Sequence, residues 1–349
     1  MARTEQTAPG GMRQSELGDR QATRSVAVLG TGTIGMRHLE LLARVDGVSA
    51  LAVPTRLERL PELAQAGLAT AAGLDEAVGH GATLCVIATD PKRHLEDALA
   101  AMDRGLDVLV EKPLATTAHE AEQIARHARS SRRKLFVGCV LRFSASLNAV
   151  RQSLPKVGRL HAIRIECQSY LPDWRPSRPY HASYSARANE GGVLRDLIHE
   201  IDYAGWLFGW PTSVQARVKN LGRLGIEADE IAELMWETPS GALLSLCLDY
   251  LSRPSRRSLR AAGERGTIVW DGMSGTVTVG VAGAPVEELR SSQTRDEMFL
   301  AQTRAFLDAC EGKLDFRLAT ADHGVKALAI CDAARHASDE GRETSVERP

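Results

Sequence analysis

The stretch GGVLRDLIHEIDYAGWLFG, residues 191–209, sets His199 among Asp196, Glu200 and Asp202 within an otherwise apolar run. A histidine among carboxylates can hold a metal, exchange protons with a substrate, or form the polar edge of a buried helix. A zinc site would draw further histidines or cysteines to one point, and none is apparent here. No metal is therefore expected, and the stretch by itself leaves open proton exchange by His199 or a polar edge on a buried helix. Residues three or four apart on a helix share a face, so Asp196 is placed to orient His199 or to stabilise its charged form. Glu200 and Asp202 read as supporting carboxylates. Leu197, Ile198, Ile201, Ala204, Leu207 and Phe208 read as packing.

A second group of residues suits a phosphate-bearing ligand. VAVLGTGTIG is a short apolar strand followed by Gly30-x-Gly32-x-x-Gly35 and a helical pattern. Glycines at that spacing permit a tight turn, close approach of a pyrophosphate and close helix–strand packing, and the helix N-terminus supplies amide donors. Thr31, Thr33 and Ile34 complete this cradle. The expected ligand is a dinucleotide. An acid at the end of the second strand would bind the ribose 2′-hydroxyl of NAD. The chain reads AVPTRLER there, with Thr55 and Arg56 and no acid before Glu58. Arg56 suits the 2′-phosphate of NADP, so NADP is favoured over NAD.

The elements that would position these groups follow from periodicity. Short apolar runs at 25–30, 48–53, 83–89, 107–113 and 134–143 alternate with helical patterns at 57–66, 92–104 and 117–131. That rhythm predicts a parallel sheet with helices on both faces. After about residue 143, strand-like runs with Gly, Pro and Ser punctuation predict a mostly antiparallel sheet. Helical patterns return at 294–312 and 320–341. Lys112 stands where a parallel strand ends, the place at which open α/β sheets bind ligands.

Together these motifs carry a resemblance. The glycine cradle, IATDPKRHLEDALAAMDRGLDVLVEKPLA, VGCVLRF and the 191–209 stretch resemble the Gfo/Idh/MocA family of NAD(P)-dependent sugar and cyclitol oxidoreductases over residues 24 to about 345. The resemblance implies an α/β chain: an N-terminal Rossmann domain with a doubly wound parallel sheet, then an α/β domain with an open, mostly antiparallel sheet. The expected divisions are a flexible tail at 1–23, a dinucleotide-binding domain at 24–142, and a substrate and oligomerisation domain at 143–345. It implies that Thr89, Pro91, His94, Glu111 and Lys112 face the cofactor, and that Lys112 and His199 meet across a cleft. Arg195 stands where the family commonly has an aspartate, and Asp196 follows it. Hydride transfer to or from a secondary alcohol needs a proton carrier and a cation near the developing alkoxide, which His199 and Lys112 can supply.

The loop before the 191–209 stretch points to the substrate. Eight aromatic residues fall between 170 and 210, among them Tyr170, Trp174 and Tyr184. Aromatic faces suit a sugar ring or a nucleobase. Arg175, Arg178 and Arg187 lie in the loop, with Arg195 just after it and Arg142 at the domain joint. Guanidinium forks match carboxylate or phosphate oxygens. The expected substrate site is Lys112, Arg142, Tyr170, Trp174, Arg175, Tyr184, Asp196 and His199. The expected substrate is an anionic sugar derivative: a sugar phosphate, nucleotide sugar or sugar acid. The alternatives are a redox-neutral epimerase or glycosidase, and a non-catalytic dinucleotide sensor.

Composition removes other classes. A formal charge of -1 over 349 residues offers no bulk attraction for nucleic acid or acidic membranes. No apolar run approaches the roughly 20 residues that span a bilayer. The polar start lacks a signal-peptide core, and six scattered cysteines without a CxxC pair read as free thiols, so a cytoplasmic protein is expected; the family resemblance implies a homodimer or homotetramer.

Overall fold

The computed structural model describes residues 24–176 and 179–347. The 1–23 segment and Arg178 lie outside the described residues.

The first half of the chain runs β1 (Arg24–Leu29), α1 (Thr33–Leu42), β2 (Val48–Val53), α2 (Leu60–Gln65), α3 (Leu74–Gly79), β3 (Leu84–Ile87), α4 (His94–Asp103), β4 (Asp107–Glu111), α5 (Ala118–Ser130) and β5 (Leu135–Gly138). The central strands are continuous apolar runs, such as Val108, Leu109 and Val110, and they are buried on both faces. Such runs suit a parallel sheet clad by helices. The sheet order is β5-β4-β3-β1-β2, with all of these pairs parallel. The order reverses between β1 and β3, and open sheets of this kind bind ligands at such a point.

The second half runs α6 (Ala145–Val157), β6 (Leu160–Gln168), α7 (Val193–Asp196), α8 (Ile198–Phe208), β7 (Ser213–Lys219), β8 (Ile231–Glu237), β9 (Leu243–Asp249), β10 (Arg256–Gly263), β11 (Gly266–Asp271), β12 (Thr276–Val281), β13 (Glu287–Arg290), α9 (Arg295–Cys310), β14 (Ala319–Thr320), α10 (Ala321–Glu340) and β15 (Thr344–Ser345). The second sheet has the order β13-β12-β11-β10-β6-β9-β8-β7-β15. All its pairs are antiparallel except β6 with β9. Alternation explains its one covered face: in β8, Ala232, Leu234 and Trp236 are buried, whereas Glu233, Met235 and Glu237 are exposed. Helices α6, α8 and α10 pack on the covered side.

Packing crosses the boundary expected at residues 142 and 143. β14 adds an antiparallel edge to β5, with Ala319 opposite Val137, and Phe306 of α9 joins the core beneath β1. The apolar run 134–143 is also not one strand. β5 stops at Gly138, where the Glu111 carboxylate lies 2.8 Å from the place a Cβ would occupy, and residues 140–143 form a 3-10 turn. Ser144 then caps α6 by accepting from the Leu147 amide.

That turn carries Arg142, which is buried completely. It donates through Nε and Nη2 to the two Asp202 oxygens, at 2.9 and 2.7 Å. Asp202 lies on α8, so one bidentate pair joins the end of the parallel sheet to the helix of His199. Arg142 therefore does not face a substrate, contrary to expectation. Its charge has a buried partner, and its guanidinium lies against the Trp206 ring.

Removing one member of such a pair strands the other charge in the interior. Arg142→Met should lower stability by about 3–5 kcal/mol in equilibrium urea unfolding. Replacing both, as Arg142→Met with Asp202→Leu, should restore most of that loss. An Arg142→Met midpoint equal to wild type would show that the pair does not fasten the joint.

Candidate active site

The glycine cradle sits at the reversal point of the parallel sheet. Gly30 has φ +94°, and a Cβ there would stand 2.7 Å from the Ala88 carbonyl oxygen. A Cβ on Gly35 would stand 1.8 Å from the Gly30 carbonyl oxygen. These two glycines serve the turn and the close approach of α1 to the sheet. Gly32 differs, because a Cβ there would meet nothing within 4 Å. Its side of the cradle opens into a cavity of about 600 Å³ that Gly32, Thr33 and Ile34 line. The first-turn amides of α1 lack intrahelical acceptors, and no acidic residue occupies that turn. Space and an electropositive helix end thus coincide, which fits the pyrophosphate of a dinucleotide.

The rest of the expected cofactor set divides. Thr89, Pro91, Glu111 and Lys112 line the same cavity. His94 does not. It is buried, with Nδ1 2.8 Å from the Pro113 carbonyl oxygen and Nε2 3.1 Å from that of Thr89. Its role is to hold the loops after β3 and β4 together, and burial pushes its pKa down. Thr55 and Arg56 are exposed beyond β2 and do not reach the cavity wall. The residue at the glycine loop is Arg59, which donates to the Thr31 carbonyl and, at 2.9 Å, to the Thr31 hydroxyl. One 3-10 turn at Leu57–Arg59 carries it back there. The signal in the sequence was the second arginine of TRLER, three positions after the first.

Lys112 and His199 do come together. Lys112 ends the β4 loop, His199 opens α8, and both line the cavity. The Lys112 ammonium donates to the Asp196 backbone carbonyl at 2.6 Å, bridging the two regions. The pairing of Asp196 with His199 is corrected. The helical run breaks at Leu197, with φ −96° and ψ 24°, so the two residues do not share one continuous helix. The Asp196 carboxylate instead accepts from the Tyr250 hydroxyl at 2.6 Å, and its other oxygen is buried without a hydrogen-bond partner. His199 Nδ1 is likewise buried and unpartnered. Burial, and then the charges of Lys112, Arg257 and Arg295, hold the His199 pKa well below the usual histidine value. The imidazole is therefore neutral near pH 7 and can accept a proton. Burial and the Asp196 carboxylate push the Tyr184 hydroxyl upward, so it stays protonated at the cavity wall.

The three carboxylates of this stretch point to three different partners. Asp196 meets Tyr250, Asp202 meets Arg142, and the fully buried Glu200 accepts from Arg257 Nε at 2.7 Å. Among the described residues, no three His, Cys, Asp or Glu side chains are grouped to hold a metal ion. Glu111 Oε1 accepts from His38 Nε2 at 2.8 Å.

The expected substrate loop contributes less charge than its composition suggests. Trp174, Arg175 and Tyr184 line the cavity. Tyr170 does not, because Arg253 lies over its ring at 3.3 Å from the centroid. Arg187 pairs with Glu190. Arg195 donates to the carbonyls of Thr116, Ala188 and Gly191. The cationic wall is built elsewhere, by Arg256 and Arg257 at the start of β10 and Arg295 at the start of α9. SRPSRRS, at a strand's beginning, was the one sequence signal for the first two.

Comparison with known proteins agrees with this architecture. A family model described as an oxidoreductase family with an NAD-binding Rossmann fold matches residues 24–139. A second, the GFO/IDH/MocA C-terminal domain, matches residues 155–269. The chain is 27% identical over 322 residues to the rhizopine catabolism protein MocA of Rhizobium meliloti, covering 88% of this chain and 93% of that protein. It spans about half the length of the first curated relatives it matches, 49% of one and 47% of another. An Agrobacterium radiobacter oxidoreductase solved with NAD+, L-tartaric acid and magnesium superposes with a TM-score of 0.82 at 18% identity, covering 93% of this chain and 98% of that one. The WlbA dehydrogenase of Bordetella pertussis, solved with NADH and UDP-GlcNAcA, superposes at 0.77 and 21% identity, covering 92% and 98%. At these identities the two structures show the shared fold. With family models matching both of its sheet-bearing regions, the chain belongs to the Gfo/Idh/MocA family of oxidoreductases.

Proposed function

We propose that the protein interconverts a ring hydroxyl and a ketone on an anionic sugar derivative, a sugar phosphate, nucleotide sugar or sugar acid, using a nicotinamide dinucleotide. The observation that carries this reading is the meeting of Lys112 and His199 in one cavity with the glycine cradle. The bound nicotinamide would supply or accept the hydride. Lys112, fixed by its bond to the Asp196 carbonyl, stands as a cation for the developing alkoxide. His199, kept neutral by burial and by nearby cations, takes the hydroxyl proton during oxidation. Trp174 and Tyr184 offer ring faces, and Arg175, Arg256 and Arg257 offer donors to an anionic group.

The cofactor reading favours NADP. β2 ends without an acid, and Arg59 places a guanidinium at the glycine loop, with Arg56 beside it in the exposed turn. The exposed face of the second sheet, where Met235, Leu243 and Val269 share one side, supports assembly into homodimers or homotetramers. No helix of the described residues is long and apolar enough to cross a membrane.

Four measurements test these points. Reduced-nicotinamide absorbance followed across phosphorylated, nucleotide-linked and acidic sugars should reveal turnover. Lys112→Ala should abolish it while the cofactor still binds, and retained turnover would remove Lys112 from the reaction. For alcohol oxidation, kcat/KM should fall only well below pH 6.5, because a depressed pKa keeps His199 neutral down to that region. His199→Asn should remove that limb and cost about 10²- to 10⁴-fold in rate. A limb at or above pH 6.5 would contradict the desolvated base. Arg59→Ala should weaken NADPH about tenfold and NADH much less, and more than Arg56→Ala does. Equal losses for both cofactors would end the NADP reading. Light scattering should return a multiple of the 37.8 kDa chain mass, and the single-chain mass would overturn the assembly.

A further inference from the structure

Arg295 is a cation of the cavity that no acid of the described residues pairs with at ion-pair distance. It is the first residue of α9, whose start is fixed by a capping box between Thr294 and Glu297. Helix α9 lies along α1, with the Phe299 ring edge-on to His38 at 5.5 Å and Arg37 paired to Asp296 at 3.0 Å. This packing brings Arg295 to the wall that Gly32, Thr33 and Ile34 also line.

The neighbouring acids are already engaged. Asp296 pairs with Arg37, with Arg44 also near, and Glu111 is bonded to His38. Arg256 and Arg257, farther along the cavity, have Glu166 and Glu200. Among the described residues Arg295 has no ion pair, only a position over the Phe299 ring at 5.7 Å. Burial, Arg37 and Arg257 all act against its charge and lower its pKa. Glu111 and Asp296 favour its charge from a distance without pairing with it, and an anion arriving from outside the chain would stabilise it further.

We infer that Arg295 is a cofactor-binding residue, reaching from the second half of the chain to hold the diphosphate of the dinucleotide seated on the glycine cradle. The inference rests on the dinucleotide reading of that cradle. The α1 amides and the Arg295 fork would then meet the same diphosphate from opposite sides. Binding would tie α9 to the nucleotide. A substrate anion is the competing occupant. Arg295 lies over the Phe299 ring, which also meets His38 and Arg37 of α1, the helix that the glycine cradle opens, and this favours the cofactor.

The test compares the binding of NADPH, NADH, ADP-ribose and adenosine to the whole protein and its variants by calorimetry. Arg295→Met should weaken both dinucleotides and ADP-ribose about tenfold or more and leave adenosine unchanged. Arg295→Lys, which keeps the charge, should recover part of the loss. An unchanged thermal midpoint would separate this from misfolding. At saturating cofactor, the substrate KM should change by a smaller factor than the dinucleotide Kd does. Wild-type affinity of Arg295→Met for ADP-ribose and both dinucleotides would overturn the inference, and a raised substrate KM in that case would assign Arg295 to the substrate anion. Wild-type protein that binds neither dinucleotide would overturn the cradle reading itself, and this inference with it.

Discussion

The buried pair of Arg142 and Asp202 fixes the geometry on which the site depends. Arg142 leaves the parallel sheet just after β5, and Asp202 stands three residues beyond His199 on α8. Two parallel hydrogen bonds in a dry setting define both distance and orientation. The helix that presents His199 is thereby referenced to the strand end that presents Lys112. Lys112 adds a second tie across the cleft, to the Asp196 carbonyl. His94 adds a third constraint within the first region, between the loops that carry Thr89 and Pro113. A split active site built from two sheets needs such fasteners, since a small shift between its halves would separate the reacting groups.

The electrostatics of the cavity follow from which charges find partners inside the chain. The carboxylates near His199 are bound away from it, to Tyr250, Arg257 and Arg142. His199 is left with cations for neighbours and no hydrogen bond at Nδ1. Burial and positive charge act in the same direction, and a neutral imidazole results. The same excess of cations suits a doubly anionic cofactor and an anionic substrate. It also explains why Asp196 serves better beside the tyrosines than as a partner for His199. A carboxylate at His199 would raise its pKa and favour the charged form.

Much of the framework was legible in the order of residues. The strands of the parallel sheet appear as unbroken apolar runs because both of their faces are buried. The second sheet appears as alternation because one face meets solvent. Other features were not legible. Helix α6 carries Asn148, Arg151, Gln152 and Lys156 among its apolar positions and offers a weak pattern. Residues 196 and 199 read as one helical face, yet Leu197 breaks the helix between them. The loop arginines read as a substrate grip, yet Arg142, Arg187 and Arg195 are taken by acids and carbonyls of the chain.

The sequence by itself determined the alternation of strand and helix, the glycine cradle, and the side chains Lys112 and His199 that meet in the cavity. Each of these rests on spacing within a few residues, where the covalent chain sets the distances. Tertiary structure alone decided which groups each charge meets. Arg59 replaced Arg56 at the glycine loop, Arg257 and Arg295 replaced Arg142 and Arg195 at the cavity wall, and Asp196 turned to Tyr250. A charge is free or bound according to groups within about 4 Å, and in a fold of this size those groups come from segments far apart along the chain.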